Sequence, residues 1–126
     1  MADLPSVNPA EIQACTKVAR SNADGPVFML NLNKYRAEAH YPDGRLYSDY
    51  MRILETLLAE VGGTILWRTN VLGQVVGNQD IDEALGIWYP THQAFLNLMT
   101  APASSENMRL RALAVAHADL HRCEAY

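Results

Sequence analysis

No apolar run in this sequence approaches the length needed to cross a bilayer, roughly 20 residues, so a membrane-spanning role is not expected. The opening stretch, residues 1–6, lacks the basic and apolar regions of a secretory signal, and the expected location is the cytoplasm. Cysteine is scarce, with Cys15 and Cys123 near opposite ends. Neither a CxxC redox pair nor a local zinc knuckle can be built from them, and both read as reduced thiols. There is no basic block either. Ten Lys and Arg stand against 14 Asp and Glu, a formal charge of −4, scattered along the chain. Nucleic acid is therefore not an expected partner. The dinucleotide loop GxGxxG, the phosphate loop GxxxxGK, the nucleophile elbow GxSxG and the zinc helix HExxH are all missing, which removes the enzyme classes that depend on them.

What is present is enough for one packed core: 126 residues with 49% hydrophobic content, read as a single domain, 1–126, with a helical extension over 1–24. Asn8-Pro9-Ala10-Glu11 combines a capping residue, a proline in the first turn and an acid at the third helical position, which predicts a helix start. Asp24-Gly25-Pro26 ends that helix. Val27 to Lys34 is too short for a typical helix and reads as a buried first strand. The polar stretch Tyr35 to Arg45, with its Pro42-Asp43-Gly44 turn, is the best lid candidate.

From about Leu46 to Val61, Tyr47, Tyr50, Met51, Leu54, Leu57, Leu58 and Val61 recur at three and four, the pattern of an amphipathic helix closed by Gly62-Gly63. Thr64 to Thr69 and Val71 to Val76 are expected as second and third strands, with Asn70 at the corner. After a polar link, Gly77 to Glu83, Ala84 to Tyr89 is a fourth strand stopped by Pro90. Thr91 caps a short helix, Ala101-Pro102 breaks it, and a further helix runs from about Ser104 to Ala118. The tail from Asp119 to Tyr126 can add a terminal strand. The expected class is α+β: a ferredoxin-like βαββαβ arrangement with an antiparallel four-stranded sheet and an extra N-terminal helix. With both long helices on one side of the sheet, the other side needs a cover, and a second copy with twofold symmetry is the expected one.

Gly25-Pro26-Val27 leading into Met29-Leu30-Asn31-Leu32, then Tyr47, Tyr50-Met51, Gly62-Gly63, Leu66-Trp67-Arg68, Tyr89-Pro90-Thr91, Ala94-Phe95, Arg109 and Ala112-Leu113 follow one another in a familiar order. Over most of residues 25–122 the chain resembles the bacterial domain-of-unknown-function family numbered 1330, within the dimeric α+β barrel superfamily. The resemblance implies that fold and a homodimer. It implies no single activity, because the superfamily includes cofactor-free monooxygenases, lactone isomerases, polyketide cyclases, haem-handling enzymes and ligand-binding regulators. The chain departs from the family in its extra helix before residue 25, a shortened link after Asp80, and Lys34-Tyr35 where an aliphatic and basic pair is usual.

Asn31 and Asn33 lie two apart in the first strand and so share a face. Either they bond neighbouring backbone, or Asn31 anchors a substrate carbonyl or enolate oxygen and Asn33 contributes to the same site. Tyr50 either packs in the core or orients a ligand. Trp67 and Trp88 supply aromatic walls for a core or for a planar substrate. Arg109, favoured over Arg111 by the family pattern, either forks a substrate carboxylate or forms a structural ion pair with Asp80 or another acid. Among the four histidines His92 is the general-base candidate, the bland alternative being an exposed first helical turn. The spacing of His117 and His121 does not predict a zinc pair, and no metal or organic cofactor is expected, although one histidine, His92 or His117, suffices to ligate haem.

Two functions follow. One is a cofactor-independent enzyme performing proton transfer, isomerisation, cyclisation or oxygenation on an apolar polyketide-like or lactone-like molecule, with His92 moving the proton, Asn31 holding an oxygen and Tyr50 orienting the substrate. The other is a non-catalytic ligand-binding or accessory dimer.

Overall fold

A computed structural model describes residues 7–125; the signal-peptide reading of residues 1–6 and the end of the tail at Tyr126 lie outside the described residues. The first helix, α1 (Pro9–Ala19), starts with proline at its first position, where a missing N–H costs nothing, and the Asn8 carbonyl accepts from Glu11 and Ile12. The capping is thus by the Asn8 backbone, not its side chain.

Strand β1 (Val27–Tyr35) alternates buried and half-buried residues along its whole length, the signature of a strand with one face in the core. Helix α2 (Arg45–Val61) buries Tyr47, Tyr50, Met51, Leu57 and Leu58, as the three-and-four spacing predicts. It stops at Gly62, whose φ of 85° is left-handed and favours glycine, and the Gly63 N–H closes onto the Leu58 carbonyl at 2.8 Å. Strand β2 (Thr64–Asn70) and strand β3 (Glu83–Tyr89) follow. Then come α3 (His92–Leu96), capped by the Thr91 hydroxyl accepting from the Ala94 N–H at 3.0 Å, α4 (Ser104–Ala114) and β4 (Val115–Glu124).

The four strands form one antiparallel sheet in the order β2-β3-β1-β4, giving the ferredoxin-like βαββαβ arrangement behind an additional N-terminal helix. Two expectations are corrected. Val71 to Val76 is not a strand: residues 71–82 form a loop closed at its mouth by Val71 N–H donating to the Asp82 carbonyl, and Leu72, Val75 and Val76 project from it almost fully exposed. Apolar content alone mimicked a strand there. The last helix ends at Ala114, not Ala118, and strand β4 begins at Val115, so His117 and His121 sit on a strand about 13 Å apart.

The core lies between the sheet and the helices, built on Val27, Met29, Leu85, Ile87 and Tyr89 from the sheet and Tyr47, Tyr50, Met51, Leu58 and Leu110 from α2 and α4. The opposite face carries Phe28, Leu30 and Leu32 of β1 beside Trp88 of β3 and Trp67 of β2. Gly86 lies between Phe28 and Trp67, whose ring centroids are 6.2 Å apart; a Cβ there would meet both rings at under 3 Å, at 2.6 and 2.7 Å.

Gly44, at the start of α2, tests how tightly the 36–44 segment is held. A Cβ at Gly44 would collide with the Ala39 carbonyl oxygen and with His40, whereas a Cβ at Gly25 meets nothing within 4 Å. Urea unfolding is expected to show Gly44→Ala destabilised by about 1–3 kcal/mol and Gly25→Ala within about 0.5 kcal/mol of the parent.

Candidate functional site

Alternation along β1 sends Asn31, Asn33 and Tyr35 to the helix side, and the register of β1 with β3 sets Glu83 directly opposite Asn33. The first turns of α2 bring Tyr47 down onto the same spot, and the segment before α2 lays Tyr41 across it. Glu83 ends only 2% exposed. A carboxylate in that position is costly unless its oxygens are bonded. They are: Tyr35 OH donates to Oε1 at 2.6 Å and Tyr47 OH donates to Oε2 at 2.8 Å, both in the charge-assisted range. Among the described residues no Lys, Arg or His pairs with Glu83.

The bonds have a direction. Because Tyr35 gives its proton to Glu83, its oxygen is free to accept, and Asn33 Nδ2 donates to it at 3.3 Å. That orientation turns Asn33 Oδ1 the other way, where it is buried without a partner. Tyr41 stacks on Tyr35 at 4.9 Å and meets Tyr47 edge-on at 4.8 Å, with its hydroxyl on Asn70 of β2. The three rings close over the carboxylate.

Burial, then the bond to Glu83 and its charge, push the phenols of Tyr35 and Tyr47 far above their ordinary value; burial and the same charge push Tyr41 up to about 12, with Arg68 pulling the other way. All three are donors at neutral pH. Around the rim, Asp82 accepts from the Tyr35 N–H at 2.9 Å, and Lys34 pairs with Asp80 at 3.1 Å and Asp82 at 3.3 Å.

Of the residues singled out from sequence, the structure places Asn33 inside this cluster. Asn31 is buried two residues away and donates to the Met29 carbonyl at 3.1 Å, the neighbouring-backbone arrangement. Tyr50 is buried one helical turn beyond Tyr47, and its hydroxyl accepts from Arg111 at 3.2 Å. Arg111 is thus the arginine turned inward. Arg109 is exposed and pairs with Glu106 at 2.5 Å, because two positions along a helix point in different directions. Trp67 and Trp88 stand on the opposite face of the sheet from the cluster.

His92 lies beyond the far end of β3, past the Tyr89 that pairs with Val27, and is not brought together with Asn31 or Tyr50. It is buried, not exposed: Asp24 accepts from its backbone N–H at 2.8 Å, lies 3.1 Å from its Nδ1, and accepts from the Gln93 N–H at 3.3 Å. Burial opposes the charge on Asp24, but these bonds outweigh it and hold its carboxyl below the ordinary range.

Sequence reasoning missed Glu83, Tyr35, Tyr41 and Tyr47 as site residues, and favoured Arg109 over Arg111 as the constrained arginine. A signal for Glu83 existed: Glu83, Leu85, Ile87 and Tyr89 alternate, which predicts that the acid shares the buried face once the strand is started one residue earlier. Among the described residues there is no cluster of three or more His, Cys, Asp or Glu that could hold a metal ion. Nor is any helix long and apolar enough to cross a membrane.

The whole chain is similar to a protein of unknown function from Rhodopseudomonas palustris, at 25% identity, covering 100% of this chain and 98% of that one with a TM-score of 0.77. A methylated form of the same protein matches at 26% identity, covering 97% of that chain, with the same TM-score. A dabb family protein with a ferredoxin-like fold from Mesorhizobium loti shares the fold at 12% identity, over 81% of this chain and 98% of that one, with a TM-score of 0.59. So does a protein of Arabidopsis thaliana at 9% identity, over 79% and 95%, with a TM-score of 0.62. No protein-family model and no curated protein matches the chain.

Retention of the phenolic protons has a pH consequence with a definite sign. A group whose folded value is raised stabilises the fold fully below its unfolded value, about 10, and loses that contribution as pH rises through the folded value. Urea unfolding between pH 8 and 11 should show stability falling above about pH 10, and Tyr35→Phe should make that fall shallower. An unchanged slope would show that the Tyr35 phenol ionises freely in the folded state.

Proposed function

We propose that the chain is a cofactor-independent enzyme of the proton-transfer class, acting as a homodimer on a small, largely apolar lactone-like or polyketide-like substrate. The observation that carries this reading is Glu83: a carboxylate held away from water, bonded by two phenols and by no cation. Each carboxylate oxygen keeps a lone pair beyond its phenol bond, and that lone pair is what the proton of a carbon acid would meet. The substrate enters where Tyr41 covers the cluster. Glu83 takes the proton from the carbon beside a carbonyl, and the displaced Tyr41 hydroxyl donates to the oxygen as it gains charge. Return of the same proton to another carbon completes an isomerisation, and attack of the enolate on a second carbonyl, whose oxygen then takes the proton back from Glu83, completes a cyclisation. Neither is a net redox change, so neither needs an organic cofactor.

In this reading the proton belongs to Glu83 and not to His92, whose Nδ1 is engaged by Asp24. His92 fixes the start of α3 instead. Homodimer formation is supported by the apolar patch of Phe28, Leu30, Leu32 and both tryptophans on the second face, and by the resemblance to family 1330. The free thiols of Cys15 and Cys123 suit the cytoplasm. The sealed position of Glu83 favours a second reading, a non-catalytic ligand-binding dimer whose cluster only shapes the cleft.

Solvent-deuterium exchange into a series of small lactones and 1,3-diketones, followed by proton NMR, separates the two. The enzyme reading expects exchange at the carbon beside the carbonyl, lowered by about 100- to 10,000-fold in Glu83→Gln. Saturable binding with no exchange supports the binder. Native mass spectrometry of the same sample is expected to give twice the chain mass.

A further inference from the structure

Every buried side-chain oxygen of the cluster has a hydrogen-bond partner except one. Both Glu83 oxygens hold phenols, the Tyr35 oxygen holds Asn33 Nδ2, and Asn33 Oδ1, on a residue 2% exposed, holds nothing. The amide cannot simply be turned round to remove the vacancy. With its oxygen toward Tyr35 it would face a hydroxyl whose proton is already given to Glu83, and two acceptors would meet. A buried acceptor left open is expensive in a molecule that satisfies most such groups, and points to a donor that comes from outside the chain.

The walls say what kind of molecule brings it. Tyr35, Tyr41 and Tyr47 form a triangle of rings with centroids 4.8 to 5.0 Å apart. Two of the three are fastened to Glu83, and Tyr41, half-buried at the rim, is bonded only at the edge strand through Asn70. Tyr41 is therefore the ring that can leave without breaking the bonds to the carboxylate, and what it vacates is a slot against the face of Tyr35, shaped for a planar ring. Asn33 Oδ1 can accept but not donate, so a ring seated there has to carry the donor itself.

We propose that this site takes a planar, hydroxylated ring, a phenol or a cyclic enol, which replaces Tyr41 against Tyr35 and donates its O–H to Asn33 Oδ1. This rests on the Glu83 cluster being the functional site, and it narrows the substrate class given above from any apolar carbonyl compound to one that is cyclic and carries a hydroxyl donor.

The test titrates the full-length 15N-labelled chain with phenol and with anisole, which differs by having no O–H, and follows the Asn33 side-chain amide and the Tyr41 backbone amide by NMR. Phenol is expected to shift both saturably and to bind about tenfold more tightly than anisole, the worth of one hydrogen bond to a buried acceptor. In Asn33→Leu the two probes should bind alike. Equal binding to the unaltered chain, or no shift at Asn33 with either probe, overturns the proposal even if Asn33→Leu fails to fold. The outcome is separable from that of the exchange assay. Carbonyl exchange that depends on Glu83 with no phenol binding sinks only the hydroxyl-donor inference. Phenol binding with exchange indifferent to Glu83→Gln sinks only the proton-transfer reading.

Discussion

A carboxylate enclosed by a sheet and a helix survives only where its oxygens face donors, and Glu83 meets that condition through phenols in place of cations. Much of the surrounding structure is arranged by this requirement. The β1–β3 register must bring Glu83 opposite Asn33, α2 must enter at the depth that lands Tyr47 on Oε2, and the 36–44 segment must return closely enough for Tyr41 to roof the pair. Gly44 permits that return, since any side chain at its position would strike the backbone it folds over. Removing the acid while keeping the phenols would leave two buried hydroxyls with no acceptor, a penalty of about 1–3 kcal/mol for each.

The two faces of the sheet divide the labour. The helix side holds the polar cluster at the end of β1 and a conventional apolar core toward its start, where Tyr89 and Phe95 meet edge-on at 5.3 Å. The other side is aromatic and aliphatic over β1 to β2, with Gly86 recessed beneath Phe28 and Trp67, and turns polar at Lys34 and along β4, where His117, Asp119 and His121 lie. The loop of residues 71–82 adds Leu72, 98% exposed, and its two valines to the apolar surface outside the core.

Much of this was legible in the residues themselves. The short apolar run Val27–Lys34 between turn signals, the three-and-four spacing through Tyr47, Tyr50 and Leu58, the double glycine after Val61 and the Thr91 cap each report a local backbone preference, and each local preference agrees with the final fold. The expected strand over 71–76 failed because β propensity says that valines suit a pleated surface, not that a neighbouring strand exists to pair with them. The site was harder to see for the same reason. Glu83 reads as the end of a polar link until the β1–β3 register is known, and its partners come from 36 and 48 positions away. Arg109 and Arg111 could be separated only by the rotation of α4, which puts Arg111 on Tyr50. His92, attractive because histidine titrates near neutrality, is engaged by Asp24 from the connection between α1 and β1, 68 positions earlier, a contact that no local pattern encodes.

The central claim is that Glu83 and its phenols act as one bonded unit, and a double-mutant cycle on unfolding free energy measures that directly. Tyr47→Phe, Glu83→Gln and the double variant are compared with the parent in urea at neutral pH. A charge-assisted bond in the interior predicts a coupling of about 1.5–3 kcal/mol between the two positions. Additivity within about 0.5 kcal/mol would mean that the hydroxyl and the carboxylate do not hold one another, and the site as described would not exist.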